Sequence, residues 1–150
     1  MLRPIYHLVS SIYEFDQNDH IHPWYRQSLP FPVIENNNAK ILWDTEIMVD
    51  PKPIDNANKP DIVIFDKKRK ECILIEGTIC TIGEIEDRTL LKQNKYTELR
   101  YGISKTYDVT RVGQINIVLD FIGGYHKNLI KDLQTLKEDP KSIHEVLQSC

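Results

Sequence analysis

The sequence predicts an α/β domain in which helices pack against a mixed central sheet. Two observations carry this. Residues 61–65 and 72–78 are short runs dominated by Ile, Val and Leu, separated by the basic turn Lys67-Lys68-Arg69-Lys70. They read as neighbouring strands of an antiparallel hairpin, covered on both faces. Residues 84–107 then carry apolar positions at helical spacing, before a further strand-like run at 114–122. A chain of 150 residues holds one such domain.

Taken in order, residues 5–15 read as a short helix. Residues 17–39 are rich in Asn, Asp, His and Pro and carry Trp24, Tyr25 and Phe31. They read as an irregular arm fixed by buried aromatics. Residues 40–49 alternate as a first strand, with Trp43, Thr45 and Ile47 on one side and Leu42, Asp44, Glu46 and Met48 on the other. Pro51, Pro53 and Pro60 make 50–60 a loop. The strands 61–65 and 72–78 follow, then the helix 84–107, whose first turn holds Glu84, Glu86 and Asp87 where the helix dipole favours acids. Gly123-Gly124 ends the strand 114–122, residues 125–136 read as a helix, and Ser142 opens a last short helix to 148.

Composition excludes some classes. No apolar run approaches a membrane span, and Met1-Leu2-Arg3-Pro4 lacks a signal-peptide pattern. Cys72, Cys80 and Cys150 are an odd count without close-pair spacing, which reads as reduced thiols in an intracellular protein. The net charge of −3 opposes unaided affinity for a phosphate backbone. It suits a domain that other parts of a larger protein hold on the target.

Strand alternation puts Asp61, Val63 and Phe65 on one face and Cys72, Leu74, Glu76 and Thr78 on one face. A register that sets Asp61 beside Glu76 lets both carboxylates share a divalent ion, and oxygen donors favour Mg²⁺ or Mn²⁺. Phosphodiester cleavage uses such an ion together with a cation near the attacking water. Thr78, two residues past Glu76, carries no charge. On a helix running from Ile85, however, Lys92, Tyr96, Leu99 and Ile103 fall within roughly 40° of one direction. Lys92 therefore lies on the stripe that faces the sheet, with Lys95 at its edge. Two fates are open to Lys92: snorkelling past Leu99 to solvent, or pairing with the carboxylates.

These residues resemble the restriction-like endonuclease domain, of PD-(D/E)xK type, of site-specific non-LTR retrotransposons. Lys40-Ile41-Leu42-Trp43-Asp44, Asn58-Lys59-Pro60-Asp61-Ile62-Val63 and Ile75-Glu76 are similar to that family's K-I-L-W-D, N-K-P-D-I-V and I-D segments. Lys92 and Tyr96, with Glu98-Leu99 after them, resemble its K-x-x-x-Y motif, which moves the lysine onto the helix. The resemblance implies a restriction-endonuclease-like core of order αβββαβ. It implies that Asp61 and Glu76 bind Mg²⁺, that Mn²⁺ substitutes, and that Lys92 and Tyr96 join them in catalysis. The implied activity is nicking of target DNA to prime a reverse transcriptase, in cis or trans, in the nucleus. Glu76 stands where the family usually has Asp, Gly77 and Cys80 depart from its pattern, and its N-terminal Arg-His-Asn motif is not recognisable around Arg3 to His7.

Other readings stay open beside this one. A nuclease fold that has lost catalysis and binds DNA or protein fits the departures and the acidic charge, and another repair or junction nuclease of the same fold fits the carboxylates. Lys59 and Lys67, Lys68, Arg69 and Lys70 are candidates for phosphate contact, with a solvated turn as the alternative for the last four. Asp44 and Glu46 either join a metal shell or face solvent on the first strand. Asp19-His20-Ile21-His22 reads as surface polarity, because no second ligand pair matches it.

Overall fold

A computed structural model describes residues 2–15, 31–55, 57–126, 128–136, 146–148 and 150. The elements are α1 (Arg3–Ile12), β1 (Val33–Glu35), β2 (Ala39–Trp43), β3 (Ile62–Asp66), β4 (Glu71–Cys80), α2 (Ile85–Lys95), α3 (Thr97–Thr106), β5 (Arg111–Asp120) and α4 (Leu129–Gln134). The strands form one mixed sheet in the order β1-β2-β3-β4-β5. The first three pairings are antiparallel and β4 pairs with β5 in parallel. A parallel pair needs a crossover, which α2 and α3 supply.

Each sheet face has its own core. On one, Ile62, Ile64, Ile73, Ile75, Ile115 and Ile117 pack with Ile5 and Val9 of α1 and with Leu129 and Leu133 of α4. On the other, Val63, Cys72 and Leu74 pack with Tyr96, Leu99 and Ile103. Two-sided burial explains why β3 and β4 read as nearly unbroken apolar runs. The predicted α/β class with a mixed sheet between helices is therefore present, and so is the hairpin.

Several boundaries moved for identifiable reasons. The first helix begins at Arg3 rather than residue 5, since Pro4 is tolerated in a first turn. The strand expected over 40–49 stops at Trp43. Asp44 takes φ 48°, a left-handed conformation that ends a ladder, and Ile47 turns under to join the second core. Asp44 and Glu46 thus lie beyond the strand, not on a shared face of it. The arm expected to be irregular contributes the edge strand β1, and Phe31 is 69% exposed rather than buried. Trp24, Tyr25 and the 19–22 segment lie outside the described residues, as does much of the last predicted helix. The predicted helix over 84–107 is two helices, interrupted at Tyr96 with φ −105° and ψ 16°. Neither Pro nor Gly marks that point. The fourth predicted strand is shifted: it runs Arg111–Asp120, leaving Phe121 and Ile122 exposed in a turn, and α4 starts at Leu129 because Tyr125 instead bridges to Leu119.

Candidate functional site: two carboxylates and a helix-borne lysine

The β3–β4 register pairs Ile62 with Ile75, which sets Asp61, one residue before β3, opposite Glu76 in the middle of β4. The backbone N–H of Asp61 donates to Glu76 Oε2 at 3.1 Å, and the N–H of Gly77 donates to Asp61 Oδ2 at 2.9 Å. Glu76 is thus tied to the Asp61 main chain, and Asp61 to the main chain of the residue after Glu76. Gly77 has no side chain to obstruct this corner, and a Cβ there would meet Leu2 Cδ2 at 2.8 Å. Its departure from the expected pattern has a local cause: the start of α1 packs on the bare Cα.

Glu76 is buried, with its side chain 6% exposed, and four donors reach it. Lys92 Nζ lies 3.1 Å and Lys95 Nζ 3.6 Å from Oε1. The Tyr96 hydroxyl donates to Oε2 at 3.0 Å, beside the Asp61 N–H. Of the two fates open to Lys92, pairing holds, and its side chain is only 21% exposed. Tyr96 itself is fully buried. Burial, and then the Glu76 charge, push its hydroxyl well above the ordinary tyrosine range. Helical phase puts Lys95 only at the edge of the stripe. Its long side chain nevertheless reaches the same oxygen as Lys92.

Burial raises the Asp61 carboxyl above its usual value; the Gly77 N–H opposes that rise and the nearby Glu76 charge adds to it. Asp61 also lines an open cavity of about 290 Å³ with Leu2, Trp43, Asp44 and Gly77. Asp44 is tied to this corner by its N–H, which donates to Asp61 O at 2.9 Å, and Lys59 Nζ lies 3.6 Å from its Oδ1. Glu46 is exposed and makes no part of the cavity wall.

No family model, curated protein or solved structure matches this chain. Its own geometry therefore carries the functional argument.

The remaining basic candidates sit elsewhere. Lys67, Lys68, Arg69 and Lys70 form the exposed turn at the far end of the hairpin, separated from Asp61 by the length of β3, roughly 17 Å. Lys67 pairs with Glu35 at 2.9 Å and Lys70 with Asp108 at 3.5 Å. Only Lys59 of the five candidates borders the carboxylates. Among the described residues, no group of three or more His, Cys, Asp or Glu side chains is placed to hold a metal ion, and no helix is long and apolar enough to cross a membrane.

Behind Lys92 lies a polar cluster that periodicity did not single out. Gln114 and Asn116 of β5 share the sheet face of Leu74 and Glu76, their register partners. They bond to Gln93, Arg100 and the Lys92 main chain. The available signal was two polar residues alternating into an otherwise apolar strand.

Proposed function

We propose that this chain has a restriction-endonuclease-like core and acts as a metal-dependent DNA endonuclease that nicks its target, as in target-primed retrotransposition. One observation carries the reading: Lys92 of α2 and Tyr96, four residues on at the break before α3, both converge on Glu76 beside Asp61. A lysine is rarely half-buried at a sheet without a task or a partner, and here it supplies the charge that Thr78 lacks.

The donor set fits a hard divalent cation. Mg²⁺ keeps several waters and is commonly held by one or two carboxylates plus substrate phosphate, so a third protein acid is not required. Asp61 and Glu76 would hold it; burial raises the Asp61 carboxyl, the Glu76 charge adds to that rise, and a bound cation would favour the ionised form. When bound, such an ion polarises the phosphate and lowers the pKa of the attacking water. Lys92, anchored on Glu76, orients that water and faces the charge that develops on phosphate oxygen. Tyr96 fixes the Glu76 carboxylate from the other side. Lys59 and Lys95, both at the rim, meet the flanking backbone. Cleavage leaves a 3′-OH and a 5′-phosphate.

The direct test incubates the protein with end-labelled duplex DNA and Mg²⁺ or Mn²⁺, then adds a DNA polymerase. Nicks that the polymerase extends support the reading; intact DNA over a broad range of protein and metal concentrations overturns it. A second reading has its own observation. Both Glu76 oxygens already receive protein donors and the chain is acidic. These features favour a module that keeps the fold and binds DNA or protein without cutting. Retarded migration of duplex DNA without nicking marks that outcome for DNA.

A further inference from the structure

The interruption between α2 and α3 falls inside the candidate site, between Lys92 and Leu99, where a helix end leaves carbonyls without helical partners. Two side chains take up such carbonyls. Gln114 Nε2, from β5, donates to Lys92 O at 2.8 Å. Arg100 Nη1, from α3, donates to Gln93 O at 3.0 Å.

These two side chains are also bonded to each other, Arg100 Nη1 donating to Gln114 Oε1. Gln114 Nε2 reaches Asn116 Oδ1 at 2.8 Å, and Asn116 Nδ2 donates to Gln93 Oε1 at 3.0 Å. Arg100 Nη2 adds Thr97 Oγ1 at 3.3 Å. The cluster is half-buried, where each unmade bond costs more than an exposed one. It joins the sheet to the main chain of Lys92 itself, on the side of α2 that faces β5.

We infer that Gln114 and Arg100 are positioning residues that fix the Lys92 backbone so that its ammonium stays on Glu76. Neither touches Glu76 in the described contacts, so they act through Lys92. The inference rests on the nuclease reading for its effect on activity, but not for its effect on Lys92. A flexible four-carbon stem can reach Glu76 from many backbone positions, and holding it in one is what catalysis by orientation requires. Gln114→Leu removes the donor to Lys92 O and puts an apolar side chain of similar size in its place. Arg100→Met removes the bond to Gln93 O, and Arg100→Lys keeps the charge without the planar fork.

The experiment labels lysines with ¹³C and follows the ε-methylene protons of Lys92, assigned by their loss in Lys92→Met. The proposal expects two inequivalent proton signals in the wild type, merging in Gln114→Leu and in Arg100→Met. Arg100→Lys should recover part of the splitting. Plasmid nicking by Gln114→Leu should fall in kcat between about tenfold and a hundredfold, with KM for DNA unchanged. Unchanged Lys92 signals in both folded variants overturn the proposal. If Gln114→Leu fails to fold, Arg100→Met and Arg100→Lys decide alone. A wild type that never nicks sinks the nuclease reading, while the Lys92 signals still decide the positioning role.

Discussion

Lys92 and Glu76 meet across the gap between a helix and a strand, Nζ 3.1 Å from Oε1, and Lys95 stands behind as a second cation on the same oxygen. This shared acceptor makes the pair asymmetric. Removing Glu76 strands two ammonium groups, the Tyr96 hydroxyl and the Asp61 N–H together. Removing Lys92 leaves Glu76 with Lys95, Tyr96 and the Asp61 N–H.

Glu76→Ala should therefore destabilise the fold by about 3 kcal/mol, in the range seen when one partner of a buried pair is removed. Lys92→Met should cost about 1 kcal/mol, the scale of one hydrogen bond with its acceptor still served. Urea denaturation at neutral pH measures both. Equal losses would mean that Lys95 does not share the load.

Tyr96→Phe keeps the buried ring and deletes the donor to Glu76 Oε2. The loss should be about 1 kcal/mol, since the Asp61 N–H still reaches that oxygen. The same urea titration reads it, and a loss near that of Glu76→Ala would assign the hydroxyl a larger role than one bond.

Gly102 of α3 tests how the segment that follows Asp44 is held. A Cβ there would meet Val49 Cγ2 at 2.9 Å and the Pro51 carbonyl oxygen at 3.0 Å. Overpacking costs about 2 kcal/mol and the better helix propensity of Ala offsets about 1. Gly102→Ala should thus lower stability by about 1 kcal/mol, although the same change in an exposed helix would raise it. Thermal or urea unfolding of the variant gives the sign.

Alkali should weaken the fold. Burial pushes the Cys72 thiol from its ordinary 9.0 up to about 12. The unfolded chain then loses this proton while the folded chain keeps it. The contribution is complete below pH 9 and is lost progressively as pH rises from 9 toward 12. Burial raises the Tyr13 and Tyr96 hydroxyls as well, which extends the loss above pH 10. Denaturation midpoints measured upward from pH 8 should fall, and Cys72→Ala should flatten the first part of the decline. A thiol reagent should modify Cys72 no faster than the native protein unfolds.

Much of the fold and of the site was legible because it obeys period and pairing. The hairpin follows from apolar runs around a basic turn, and Lys92, Tyr96, Leu99 and Ile103 share a direction that survives the interruption at Tyr96. The interruption itself has no Pro or Gly to announce it. It is held by Gln114 and Arg100, which are distant in sequence from α2's end or lie on the next helix. Strand β2 ends at Asp44 through a backbone conformation that its alternating side chains do not encode. Helix phase locates the Cα direction of Lys95 but not the reach of its long side chain, which extends to Glu76.

The most direct measurement is conversion of supercoiled plasmid to open circles in Mg²⁺ or Mn²⁺, with Asp61→Ala and Lys92→Ala beside the wild type. The wild type should nick, and both substitutions should abolish nicking, Lys92→Ala while remaining folded. Lys92→Ala that nicks at the wild-type rate, or a wild type that leaves the plasmid supercoiled at every metal concentration, would contradict it.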